Sequence, residues 1–128
     1  MPGHEDFQYA ILRVVPDVER GEALNAGVVL FSRRLGFLGA RTALDADALA
    51  AMAPECDPEA VRTHLSALER VAAGVPDGGP IAALEPSERF HWLTAPSSTM
   101  VQPSAVHTGL TSDPAAELEH LFERLVTR

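Results

Sequence analysis

Two apolar runs near the start of the chain constrain its fold most. Phe7 to Val15 reads FQYAILRVV and Leu24 to Ser32 reads LNAGVVLFS. Successive side chains of a strand alternate between faces, so Phe7, Tyr9, Ile11 and Val15 share one side and Ala10, Leu12 and Val14 the other. Both sides are mostly apolar, as in a central strand. Pro16 ends the first run, and DVERGE turns around Gly21 before the second begins. Arg33 and Arg34 mark the next turn, and Phe37 to Ala43 reads as a third strand. Polar connections this short favour antiparallel hairpins, so the first third of the chain predicts a three-stranded meander.

Helical patterning follows. Asp45 is placed as an N-cap, with Leu44 and Leu49 as a hydrophobic staple, and that short helix stops near Pro54. The next helix is better marked: Asp57 as cap, Pro58 at the first helical position and Gly74 past the end. Val61, Leu65, Leu68 and Ala72 form its apolar stripe. Val75 to Pro86 reads as a loop. The last helix starts at Asp113-Pro114, and Leu118, Leu121, Phe122, Leu125 and Val126 give the strongest periodic signal in the chain.

Between these helices lies RFHWLTAPSSTMVQPSAVHTGLTSDP, from Arg89 to Pro114. Phe90, Trp92 and Thr94 alternate with His91 and Leu93, so PSERFHWLTAP is read as a strand joining the sheet, with one turn of helix as the alternative. Pro96 and Pro103 break the backbone beyond it, and the 94–112 stretch is expected to be a loop. The expected fold class is α+β, an antiparallel sheet of three to four strands with two to three helices packed on one face. The 128 residues fit a single domain, 1–128, that hides roughly two-thirds of its unfolded surface.

Composition narrows the function classes. A formal net charge of −8 repels phosphate backbones and disfavours nucleic acid as a partner. All ten basic residues are Arg, so no lysine is present to form a Schiff base or bind phosphate, and an anion site must use Arg, His or backbone N–H groups. Cys56 is alone, which excludes an intrachain disulfide and agrees with a reducing compartment. The start of the chain is acidic where a signal peptide would be basic, and no apolar run reaches the roughly 18 residues of a membrane span. The expectation is a soluble cytoplasmic protein with no membrane contact.

No catalytic constellation meets the usual tests. Ser98 lacks the flanking glycines of a nucleophile elbow. Cys56 precedes a helix cap, where a lone Cys is usually inert. His4, His64, His91, His107 and His120 show no paired metal-ligand spacing, and no phosphate-binding glycine motif occurs, so neither metal nor cofactor is expected. His64-Leu65-Ser66 resembles a phosphoesterase pair but falls inside a helix.

Four features remain as binding candidates. Asn25 and Gly27 are the odd residues of their strand: the Asn is placed to meet a ligand or cap a turn, and the Gly to mark a bulge or close backbone approach. Arg13 interrupts an apolar strand face and calls for a carboxylate, with Asp17, Glu19 and Glu22 nearest in sequence; an anion site is the alternative to such an ion pair. From Thr94 to Ser112 there are eight Ser or Thr residues, with Gln102 and His107 among them. They either bind a ligand or satisfy the loop's own backbone. Arg89 and His91 supply charge beside them. The candidate ligand-binding set is Asn25, Arg89, His91, Ser98, Gln102, His107 and Thr108.

GEALNAGVVLF, FLGAR, RFHWLTAPSSTMVQPSAVHTG and the Asp113-Pro114 helix, in this order from about Tyr9 to Val126, resemble a bacterial family of small proteins known only as a domain of unknown function. RFHWLTAP and VQPSxVHTG carry most of the specificity. The second position of the NxGVVL motif is often larger in that family than Ala26. The resemblance implies no activity, but it implies a partner: members are often encoded beside a HipA-like kinase-fold protein. The leading expectation is therefore a non-catalytic accessory or interaction protein acting with a kinase-fold partner. The alternative is a small enzyme or a nucleotide- or anion-binding module whose site is built from residues 89–109 and Asn25.

Overall fold

The structure is a computed structural model that describes residues 3–97 and 99–127. Three antiparallel strands form first: β1 (Glu5–Val14), β2 (Leu24–Ser32) and β3 (Phe37–Thr42). They make the expected meander, with β1 beginning two residues earlier than its apolar run. The register between β1 and β2 slips once. Leu12 faces Gly27 and Arg13 faces Asn25, so Ala26 is the extra residue of a bulge. Beside it Gly27 lies too close to its neighbours for a side chain, since a Cβ there would stand 2.9 Å from Thr42 Cγ2 and 3.0 Å from the Arg41 carbonyl oxygen.

The helices start where their caps require. The Asp45 carboxylate accepts from the Ala48 N–H ahead of α1 (Ala46–Met52), and Asp57 accepts from the Glu59 N–H ahead of α2 (Pro58–Ala73). Gly74 closes α2 in the left-handed region at φ 68°, donating to the carbonyls of Arg70 and Val71. Two short 3-10 turns follow. The segment expected as a strand is instead α3 (Pro86–Thr94). Phe90 and Leu93, three residues apart, are its buried positions, whereas the alternating Phe90, Trp92 and Thr94 set is not buried together. Pro86 opens the helix, and Thr94 turns its hydroxyl back onto the Phe90 carbonyl.

The stretch beyond α3 is also more regular than a loop. Two short strands, β4 (Val101–Pro103) and β5 (His107–Thr111), pair antiparallel with the two ends of β1. Between them Ser104 continues the ladder: its Oγ accepts from Ile11 N–H at 2.8 Å, and its own N–H donates to the Ile11 carbonyl at 2.8 Å. The segment 101–111 is thus one broken edge strand, and the sheet has five strands in the order β3-β2-β1-β4, with β5 continuing β4 along β1. The last helix, α4 (Pro114–Leu125), is capped by Asp113, which accepts from the Ala116 N–H.

The α+β class stands, and the sheet is wholly antiparallel. The helices, however, do not share one face. Ala10, Leu12, Val14, Val29 and Phe31 pack with α1, α2 and α3, while Phe7, Val28 and Leu30, which alternate with them, pack with Leu118, Leu121 and Phe122 of α4. The strands are apolar on both sides because both sides are covered. Among the described residues no helix is long and apolar enough to cross a membrane.

Candidate functional site

The pairing of β1 with its two neighbours brings three polar side chains into one row. Asn25 of β2 and Gln102 of β4 are both register partners of Arg13. Directly paired residues project from the same face of a sheet, here the face that carries α4. Arg13 stands between the two amides. Asn25 is tied to the end of α4, donating from Nδ2 to the Leu125 carbonyl at 3.0 Å. Gln102 donates from Nε2 to the Thr99 carbonyl at 3.1 Å. Further along the same face His107, the partner of Tyr9, lies beside its ring at 5.2 Å between centroids.

Arg13 does not form the ion pair expected from its sequence neighbours. Its Nη2 donates to the Pro103 carbonyl at 3.0 Å, and its Nε–H is buried with no acceptor among the described residues. Two of the three expected carboxylates are engaged elsewhere: Asp17 accepts from the Glu19 N–H in its own turn, and Glu22 pairs with Arg20. That exposed pair, hydrogen bond first and charge second, holds the Arg20 guanidinium above its ordinary pKa. The loop after β1 curls onto itself and leaves Arg13 to the edge strand.

The other sequence candidates are distributed. Arg89 is a helix cap: its guanidinium donates to the carbonyls of Val71, Ala72 and Leu84, at 3.1, 2.7 and 2.9 Å. A cation there also meets the negative end of the α2 dipole. His91 lies exposed on α3. Thr108 projects to the opposite side of the sheet from His107, into a depression of about 470 Å³ with Gln8, Phe31, Arg33 and Arg34. Ser98 lies outside the described residues. Of the remaining hydroxyls, Thr94, Thr99, Ser104 and Thr111 each bond to backbone of their own segment or a neighbouring turn. Asn25, Gln102 and His107 share a face; Arg89, His91 and Thr108 do not join them.

One concave feature was not foreseen. A cavity of about 230 Å³ opens where α2, α3 and β4 meet, with Leu12, Leu68, Leu93 and Val101 at its apolar base and His64, Trp92, Ser97 and Thr99 at its margin. Trp92 and Ala95 also line a neighbouring open depression with Leu84, Ser87, Glu88 and His91. Trp92 is 45% exposed and Leu84 39%. A helical reading of residues 86–94 would have exposed Trp92, because Phe90 and Leu93 take the inward positions. Among the described residues no three His, Cys, Asp or Glu side chains converge on a point that would hold a metal ion.

No curated protein and no solved structure matches the chain. A family model does, described as a protein of unknown function, DUF3037, over residues 9–126. That span takes in every strand and helix above except the first four residues of β1, and the chain belongs to this family.

Proposed function

We propose that this protein is a single-domain, non-catalytic accessory protein of the cytoplasm that acts by docking to a kinase-fold partner. The observation that carries the reading is Trp92, a large amphipathic side chain 45% exposed between two depressions. Tryptophan is the residue type most enriched among interface side chains that dominate binding, and here it stands beside an apolar cavity able to receive a side chain. The polar groups around it support the same view, since Arg89, Thr94 and Thr99 are hydrogen-bonded within the fold and are not left to work on a substrate. The lone Cys56 agrees with a reducing compartment.

The test is co-expression with the neighbouring kinase-fold protein, followed by size-exclusion chromatography and intact mass. A complex that co-elutes with the wild type and dissociates with Trp92→Ser is the expected result. A lone peak of unmodified mass, with no complex at micromolar concentration, would refute it. A mass gain of one phosphate would make the protein a substrate of its partner, with the 94–112 hydroxyls as the first place to map.

A second reading, an anion-binding module, is favoured by the Asn25–Arg13–Gln102 row. The charge of −8 weighs against nucleic acid as its anion.

A further inference from the structure

Among the described residues Arg13 and Arg89 are the half-buried arginines without a carboxylate; Arg89 donates to three carbonyls, whereas Arg13 keeps a buried Nε–H with no acceptor. Arg20, Arg34, Arg41 and Arg62 each meet a carboxylate, and they do so at the exposed surface, where pairing gains little. Arg13 is half-buried, and among the described residues no carboxylate oxygen lies within ion-pair distance of it. A guanidinium partly withdrawn from water without a counter-charge is unfavourable, and the unfavourable term grows with burial. The chain holds 18 acidic residues, so a partner was available to evolution within the protein.

We propose that this row binds the carboxylate of a small amphipathic organic acid, a site that rests on the anion-binding reading and not on partner docking. Arg13 supplies the charge and those guanidinium N–H groups that are not already donated to the Pro103 carbonyl. Asn25 and Gln102 fence it, each held in place by its bond to a backbone carbonyl. The next residues along the same face are Ile11 and then Tyr9, both half-buried, with the Tyr9 and His107 rings at the far end. Residues two apart on a strand are about 6.6 Å from one another, so Arg13 to Tyr9 spans about 13 Å. A carboxylate at Arg13 therefore places an apolar body of one ring and a short chain over Ile11. Arg13, Asn25, Gln102, Ile11 and Tyr9 are half-buried and His107 is exposed at the end of the row, which suits a slender ligand better than a broad protein surface. Inorganic phosphate fits less well, because the apolar strip offers it nothing and the overall charge repels a dianion more strongly.

The probe is 3-phenylpropionate, compared with acetate, phosphate and chloride at constant ionic strength, read by the arginine Nε–H signals in a ¹⁵N-correlated NMR spectrum and by thermal shift. A ligand of roughly ten heavy atoms binds with a Kd on the order of millimolar. Phenylpropionate is expected to move one Nε–H signal and raise the melting temperature, acetate to act several-fold more weakly, and Arg13→Met to abolish both effects. If Arg13→Met does not fold, Gln102→Leu decides, with an affinity loss of about tenfold expected. The site is overturned if nothing responds up to about 10 mM, or if the response survives Arg13→Met or is unchanged in Gln102→Leu. A response to phosphate alone overturns the organic acid. None of these outcomes depends on whether the kinase-fold partner binds.

Discussion

The two faces of the sheet are covered to different depths. Ala10, Leu12 and Val14 of β1 are 0%, 1% and 0% exposed beneath the three-helix side. Their immediate neighbours Tyr9, Ile11 and Arg13, on the α4 side, are only half-buried. The cause is geometric. A helix is about 10 Å across and strands are about 4.8 Å apart, so one helix covers about two strands. Packing over β2 and β3, α4 leaves β1 and the broken edge strand partly open. The well-covered face holds the fold together. The half-covered face is where polar side chains can stand in a row without leaving water entirely.

This contrast can be broken by experiment. Leu12→Ala should cost about 2–5 kcal/mol in urea unfolding, and Ile11→Ala, next to it on the open face, about 1 kcal/mol. Equal losses would mean that the faces do not differ as described. Arg89→Ala should cost about 2 kcal/mol by stripping three carbonyls of their donor and the α2 terminus of its cation, with Arg89→Lys recovering only part, since the fork is lost. The same denaturation series checks both.

Gly109→Ala tests the looser side. Its Cβ would stand 2.7 Å from the Phe7 ring, and overpacking of this kind costs about 1–3 kcal/mol. A single covering helix lets Phe7 shift, so the lower end is expected; a larger loss would show the α4 side to be as rigid as the other. The smallest effect is expected at Arg13. Replacing an uncompensated guanidinium by Met should change stability by less than about 1 kcal/mol in either direction. A loss above about 2 kcal/mol would make Arg13 a structural residue, locking β4 through the Pro103 carbonyl, and would remove the reason to look for a ligand there.

Legibility in the sequence tracked how local each signal was. The helices that begin with an aspartate cap were readable, because Asp45, Asp57 and Asp113 act on N–H groups two or three residues away. The exception, α3, has Glu85 at its cap position with no side-chain hydrogen bond, and its residues imitate strand alternation. Only contact with the core shows that Phe90 and Leu93 point inward. Asn25, Gln102 and His107 stood out as polar residues in apolar or proline-bounded surroundings. Their meeting on one face, with Arg13 between two of them, follows from strand register, which no local pattern reports. Arg89 is conspicuous in the sequence for its charge alone, whereas its bonds reach across 17 residues to the end of another helix.

Adjacent letters carry the material of the fold: two strands apolar on both faces, a meander joined by short polar turns, and three helices opened by aspartate caps. The closing of the chain sets the rest: which face each helix covers, that the Pro-broken stretch becomes an edge strand, and that Arg13 has no carboxylate beside it among the described residues. The bond from Ile11 N–H to the Ser104 hydroxyl spans 93 residues. Caps and stripes are interactions between near neighbours and are written in adjacent letters. A pairing of that length depends on how the whole chain closes on itself, so its register exists only once the sheet and both of its covering layers are in place.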